Sequence, residues 1–138
     1  MAIQYSVTLR NNQLDQIEST TGASARLRLF TGSPPASCAD ASTGTQILDM
    51  ALPSDWMTTA SAGQKSRNGT WTGTGAAGAG SGSNAGYFRI FDSTGTTCHM
   101  QGTVTITGGG GDMTLDNTNI ASGQVVTINT FTVTAGNA

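Results

Sequence analysis

At 138 residues, 36% hydrophobic and only 10% charged, the chain has material for one core and little for charge-based chemistry. Few apolar residues together with many charges would mark disorder, but here both are sparse; Thr, Ser, Asn and Gly fill the difference, as in strands with uncharged exposed faces and many turns. The net charge of −2, with the six basic residues Arg10, Arg26, Arg28, Lys65, Arg67 and Arg89 scattered, argues against nucleic acid as a partner, and no apolar run is long enough to cross a bilayer.

In chain order, "SVTLRNNQLDQIESTT", residues 6–21, predicts the one helix. Ser6 can cap its first turn and Gly22 can end its last. Val7, Leu14 and Ile17 share a face, with Ile3 just upstream, and Leu9 lies off that stripe. From Ala23 the apolar period becomes two. In "ARLRLF", Leu27 and Leu29 alternate with Arg26 and Arg28, a strand with one wet face, and Pro34 and Pro35 cannot continue its ladder. "ASCADASTG" reads as a loop. "TQILDMAL" sets Leu48, Met50 and Leu52 on one side, and "SRNGTWT", residues 66–72, is expected to be a short strand around Trp71.

The stretch "GTGAAGAGSGSNAG", residues 73–86, holds six glycines among fourteen residues and no large apolar side chain. It is expected to be a loop that works through flexible backbone. "YFRIFD" and "TTCHMQGTVTIT" then form a hairpin across "DSTG". In the second arm Cys98, Met100, Val104 and Ile106 fall on one parity and His99, Gln101, Thr103, Thr105 and Thr107 on the other, with Gly102 marking a bulge. "GGGGD" is a turn, "MTL" a short strand, and "DNTNIASGQ" a crossover. "VVTINTFTVT" changes parity between Ile128 and Phe131, which calls for a bulge near Asn129 or cover on both faces. These elements predict a mainly β protein, an antiparallel β-sandwich of jelly-roll type with one N-terminal helix: residues 1–22 as arm and helix, residues 23–138 as a single β-sandwich domain.

Chemistry-bearing motifs are weak. His99 is the sole histidine and no nucleophile turn accompanies it, so no catalytic residue is expected. Zinc would need more ligands than Cys38, Cys98 and His99, and neighbouring strand residues point to opposite faces. Asp112, Asp116, Asn117 and Asn119 offer hard oxygens but lack the spacing of a calcium loop. "GGGGD" has neither the lysine nor the strand-to-helix step of a phosphate loop, and Glu18 is the only glutamate, so nothing pairs carboxylates for glycoside hydrolysis. No cofactor, metal or small-molecule substrate is therefore expected. Trp56, Trp71, Tyr5 and Tyr87 could stack on sugars, although a chain so poor in aromatics needs most of them inside. Cys38 and Cys98 leave a disulfide, two free thiols and part of a metal site all open.

The stretches "LRNNQLDQIESTTG", "RLRLFTGSPP", "AGYFRIFDSTGTTCHMQGTV" and "GGDMTLDNTNIASGQVVTINTFTVT" together resemble small β-rich structural proteins of tailed bacteriophages, similar to the cement or decoration proteins of capsid lattices. The resemblance covers almost the whole chain and rests on turn and strand signatures rather than chemical ones. It implies a non-enzymatic virion protein, made in the host cytoplasm, that stabilises a shell by bridging its subunits. The implied partners are the major capsid protein and further copies of the chain, with no nucleic acid and no membrane. A tail or head-to-tail component, or a carbohydrate-binding module, is the alternative. Subunit contacts are expected from Ile3, Tyr5 and Leu9 in the arm and helix, and from Gly75, Gly78, Gly80 and Asn84 in the glycine-rich stretch.

Overall fold

The computed structural model describes residues 2–136, so Met1 of the expected arm and residues 137–138 of the expected β domain lie outside the described residues. Ser6 keeps an extended backbone and its hydroxyl accepts the Leu9 amide at 3.2 Å, which opens helix α1, Val7–Thr21. Gly22, at φ +89°, closes it by donating its N–H to the Glu18 carbonyl. The predicted apolar stripe holds only in part. Leu14 is buried and Ile17 packs against the core, but Val7 is exposed alongside Leu9.

Among the described residues eleven strands follow: β1 Arg26–Phe30, β2 Gln46–Ala51, β3 Gln64–Ser66, β4 Trp71–Thr74, β5 Ser83–Asn84, β6 Tyr87–Phe91, β7 Cys98–Ile106, β8 Met113–Leu115, β9 Asn119–Ile120, β10 Val125–Ile128 and β11 Thr132–Thr134. The main sheet has the order β2-β1-β6-β7-β8; three two-stranded ladders pair β10 with β4, β11 with β3 and β5 with β9. The protein is thus mainly β with one helix, and antiparallel pairing dominates a curled, half-barrel-like sheet flanked by the small ladders.

Alternation in β1 behaves as predicted: Leu27 and Leu29 enter the core, while Arg26 and Arg28 share the Asp49 carboxylate across β2 at 2.9 and 3.2 Å. In β2 the register slips. Leu29 pairs with Leu48 but Phe30 pairs with Gln46, so Ile47 is the extra residue and is buried together with Leu48, Met50 and Leu52. The expected bulge at Gly102 is instead at His99, because Ile90 pairs with Met100 and Phe91 with Cys98. Gly102 answers a different need: a Cβ there would meet the Phe88 ring at 2.7 Å and the Asp112 side chain at 2.9 Å.

The stretch 66–72 splits between two strands, with Ser66 ending β3 and Trp71 starting β4. The last strand splits to match, β10 pairing with β4 and β11 with β3. The parity change between Ile128 and Phe131 is this change of partner, and both side chains are buried. One pair departs from the antiparallel expectation: β7 and β8 run parallel, without the long crossover that parallel strands usually need. The "GGGGD" turn manages this by folding back over its own strand. Gly111 N–H donates to Thr105 Oγ1, Asp112 accepts the Thr103 amide and hydroxyl, each at 2.8 Å, and a Cβ on Gly109 or Gly111 would meet the Thr105 side chain at 2.8 Å.

Trp56, Trp71, Phe131 and Phe88 form a contiguous aromatic centre, with successive ring centroids 6.0, 5.5 and 5.5 Å apart. Both indole N–H groups are satisfied, Trp56 donating to the Gly22 carbonyl at 3.0 Å and Trp71 to the Asn68 carbonyl at 3.1 Å.

Candidate functional site

Ile3, Tyr5, Val7 and Leu9 are 74, 40, 51 and 44% exposed, apolar side chains spread over the segment before α1 and around its first turn. What fixes the helix to the body is polar. Asn11, Asp15 and Glu18, at helical spacing, turn one face of α1 toward the segment 56–65. Glu18 Oε1 accepts the Trp56 and Met57 amides at 2.8 and 3.2 Å; Asp15 Oδ1 accepts the Ala60 amide at 2.9 Å; Asn11 Oδ1 accepts the Gly63 amide at 2.8 Å. Arg10 Nε donates to the Ala135 carbonyl at 2.9 Å, reaching the far end of the chain.

Lys65 completes the clamp. Its side chain is only 3% exposed, and the ammonium donates to Asp15 and to the Thr58 carbonyl, each at 2.8 Å, with Glu18 Oε2 at 3.5 Å. The ammonium's hydrogen bond, followed by the Ala60 amide, holds the Asp15 carboxyl below its ordinary value. Sequence reading missed this group, although the spacing of Asn11, Asp15 and Glu18 was visible. A lone lysine in β3 gave no sign of being buried.

The glycine-rich stretch 73–86 is not the flexible loop its composition predicts. Gly73 and Thr74 finish β4, Ala77–Ala79 form a 3-10 turn, and Ser83 and Asn84 are β5. Ala79 and Ala85 are buried. Backbone bonds run from Gly75 N–H to the Gln124 carbonyl and from Ala85 N–H to the Thr118 carbonyl. A Cβ on Gly75 would land on the Ala121 carbonyl, and one on Gly78 would stand 2.7 Å from the Gln46 carbonyl oxygen. Glycine serves close backbone packing here. Of the expected contact residues in this stretch, Gly75 is buried while Gly78, Gly80 and Asn84 are exposed.

A second cluster lies on the outer face of the main sheet, beneath the segment 31–45. Arg89, on the central strand β6, is 1% exposed. Its guanidinium donates to the Ser42 hydroxyl and the Cys38 carbonyl, each at 2.8 Å, and to Cys98 Sγ at 3.2 Å. Arg28 and Arg89 both approach the Phe91 ring, at 4.7 and 5.5 Å. Tyr87 donates to the Thr43 carbonyl at 2.6 Å and accepts its amide at 2.9 Å, and Gln101 donates to the Pro35 carbonyl at 2.7 Å while its Oε1 is buried without a partner. The structure brings Cys38 and Cys98 together, with their sulfurs 2.9 Å apart.

The remaining sequence candidates are dispersed. His99 is exposed at the β7 bulge. Trp56, Trp71 and Tyr87 are fully buried, so these rings present no stacking face, and Tyr87 instead stacks on Phe30 at 5.0 Å. Asp112 is turned toward Thr103, whose amide and then hydroxyl lower its pKa, and Asn117 Oδ1 accepts the Asn119 amide at 2.9 Å. Among the described residues no three His, Cys, Asp or Glu side chains are grouped to hold a metal ion, and no helix is long and apolar enough to cross a membrane. Comparison of the chain with protein-family models, curated proteins and solved structures found no match.

Proposed function

We propose that the chain is a non-enzymatic structural protein of a bacteriophage virion, a cement or decoration protein that binds the major capsid protein as a homo-oligomer and stabilises the shell by bridging its subunits. The observation that carries this reading is the exposure of four large apolar side chains, Ile3 and Tyr5 just before α1 and Val7 and Leu9 in its first turn, on a helix clamped to the β body through Lys65. Four exposed large apolar side chains within seven residues favour cover by another protein. Because the helix is fastened by hydrogen bonds to backbone at 56–63 and 135, a load on Val7 and Leu9 passes into the sheets.

Gly78, Gly80 and Asn84 add exposed backbone and a small amide, surfaces that fit a crowded junction by shape rather than charge. The resemblance of the helix, hairpin and tail signatures to phage structural proteins supplies the partner. We read the curled sheet and its ladders as a distorted antiparallel β-sandwich of jelly-roll kind. Localisation in purified particles tests the assignment. Density on the outer shell at fixed stoichiometry is expected; a place in the tail or connector would move the job, and absence from particles would reject it.

A further inference from the structure

We propose that Cys38 and Cys98 are a disulfide-forming pair, and that the bond acts as a clasp holding the segment 31–45 over the outer face of the main sheet. The inference concerns the chain alone and does not depend on the partner assigned above. Its basis is a juxtaposition already built by other contacts. The two sulfurs are 2.9 Å apart although the residues are sixty apart in sequence, and both side chains are half-buried. Segment 31–45 is held in place without them, by Arg89 on Ser42 and Cys38, by Tyr87 on Thr43, and by Gln101 on Pro35. Joining the sulfurs therefore asks little of the backbone.

The surroundings also order the chemistry. Arg89 is a buried cation whose hydrogen bonds go to a hydroxyl, backbone carbonyls and Cys98 Sγ, with no carboxylate among them, so a thiolate at Cys98 would be its counter-charge. Burial, then the neighbouring Cys98, pushes the Cys38 thiol up to about 11. Cys98, whose sulfur accepts the Arg89 Nε–H, is assigned as the attacking thiol. A cleft of about 400 Å³, lined by Cys38, Cys98, Asp40, Ser42 and Thr96 among others, gives access for a low-molecular-weight disulfide such as oxidised glutathione.

The Cys98 thiolate attacks one sulfur of that disulfide, forming a mixed disulfide and releasing one small thiolate, which takes up a proton. Cys38 then loses its proton and attacks Cys98 Sγ, forming the internal bond and expelling the second small thiol. Two protein thiols are oxidised to one disulfide, and the small disulfide is reduced to two thiols. Once formed, the bond closes a loop of about sixty residues, which constrains the unfolded chain far more than the folded one.

The test uses the full chain, purified reduced and then treated with oxidised glutathione. Expected are loss of both alkylatable thiols in a monomer without an adduct, a Tm higher by roughly 10 °C that dithiothreitol reverses, and slower proteolysis within 31–45. Cys38→Ser should trap a glutathione adduct on Cys98, whereas Cys98→Ser should react far more slowly. Retention of both thiols in the folded chain, stable adducts on both cysteines, an intermolecular dimer, or an internal bond that changes neither Tm nor proteolysis would overturn the proposal.

Discussion

The Lys65 ammonium lies 2.8 Å from the Asp15 carboxylate with only 3% of the lysine side chain exposed. A cation this deep is tolerable only while it is paired, and its partners sit on the helix. Asp15→Ala would leave it with Glu18 at 3.5 Å and the Thr58 carbonyl. The expected cost is about 2 kcal/mol, below the ~3–5 kcal/mol of a fully buried broken pair because Asp15 itself is partly exposed. Glu18→Gln, which keeps an oxygen for the Trp56 and Met57 amides, should cost less than Glu18→Ala. Urea titration of the three variants checks the order. Deleting residues 1–22 would strip both carboxylates from Lys65 and remove Leu14 from the core, so point substitutions are the cleaner probe of the exposed apolar side chains.

Acid should loosen the turns before the core. Asp92 accepts the Thr96 amide and the Thr94 hydroxyl, which lower its pKa from 3.8 to about 2, and Asp112 is lowered by Thr103. Each carboxylate is favoured in the folded chain, so its contribution is complete above the unfolded value and is lost as pH falls through the folded one. Tm should therefore be flat from neutral pH down to about 4 and drop toward pH 2, and Asp92→Asn should flatten part of that acid limb in calorimetric scans.

Gly75→Ala should destabilise by about 1–3 kcal/mol, since the new methyl group meets the Ala121 carbonyl and overpacking has no flexible side chain to displace. Gly136→Ala, with nothing within 4 Å, should leave the thermal midpoint unchanged. Equal behaviour of the two variants would mean that the 73–86 stretch is as loose as its composition suggests.

That contrast explains which features were readable from sequence. The helix was, because Ser6 and Gly22 are local signals, and so were the β1 alternation and the β6–β7 hairpin around "DSTG". The parity change before Phe131 was visible too, though not its meaning as a change of ladder. What escaped depends on partners remote in sequence. Two- and three-residue strands such as β5, β9 and β3 exist only through their neighbours, and Ile47 is buried through a register slip that no period predicts. A run of glycines reads alike whether it is mobile or pressed against a carbonyl. Arg89 and Lys65 look like surface charges until β6 is central and α1 is docked. Of the candidate site, Ile3, Tyr5 and Leu9 were legible as apolar residues near a helix start, but the clamp that holds the helix was not.

Replacing Ile3 and Leu9 together with Ser should leave the urea midpoint close to that of the parent chain, because neither belongs to the core. Binding to shells should fall at least tenfold in a sedimentation assay, the loss expected when about 1.4 kcal/mol or more of apolar contact is removed.

Cryo-electron microscopy of particles made with the parent chain is the most direct examination of whether this protein acts by touching others. The predicted result is an ordered copy of the fold at fixed shell positions, with Ile3, Tyr5 and Leu9 buried against capsid protein or another copy. Particles lacking the chain, or bound copies whose Ile3, Tyr5 and Leu9 remain in solvent, would contradict it.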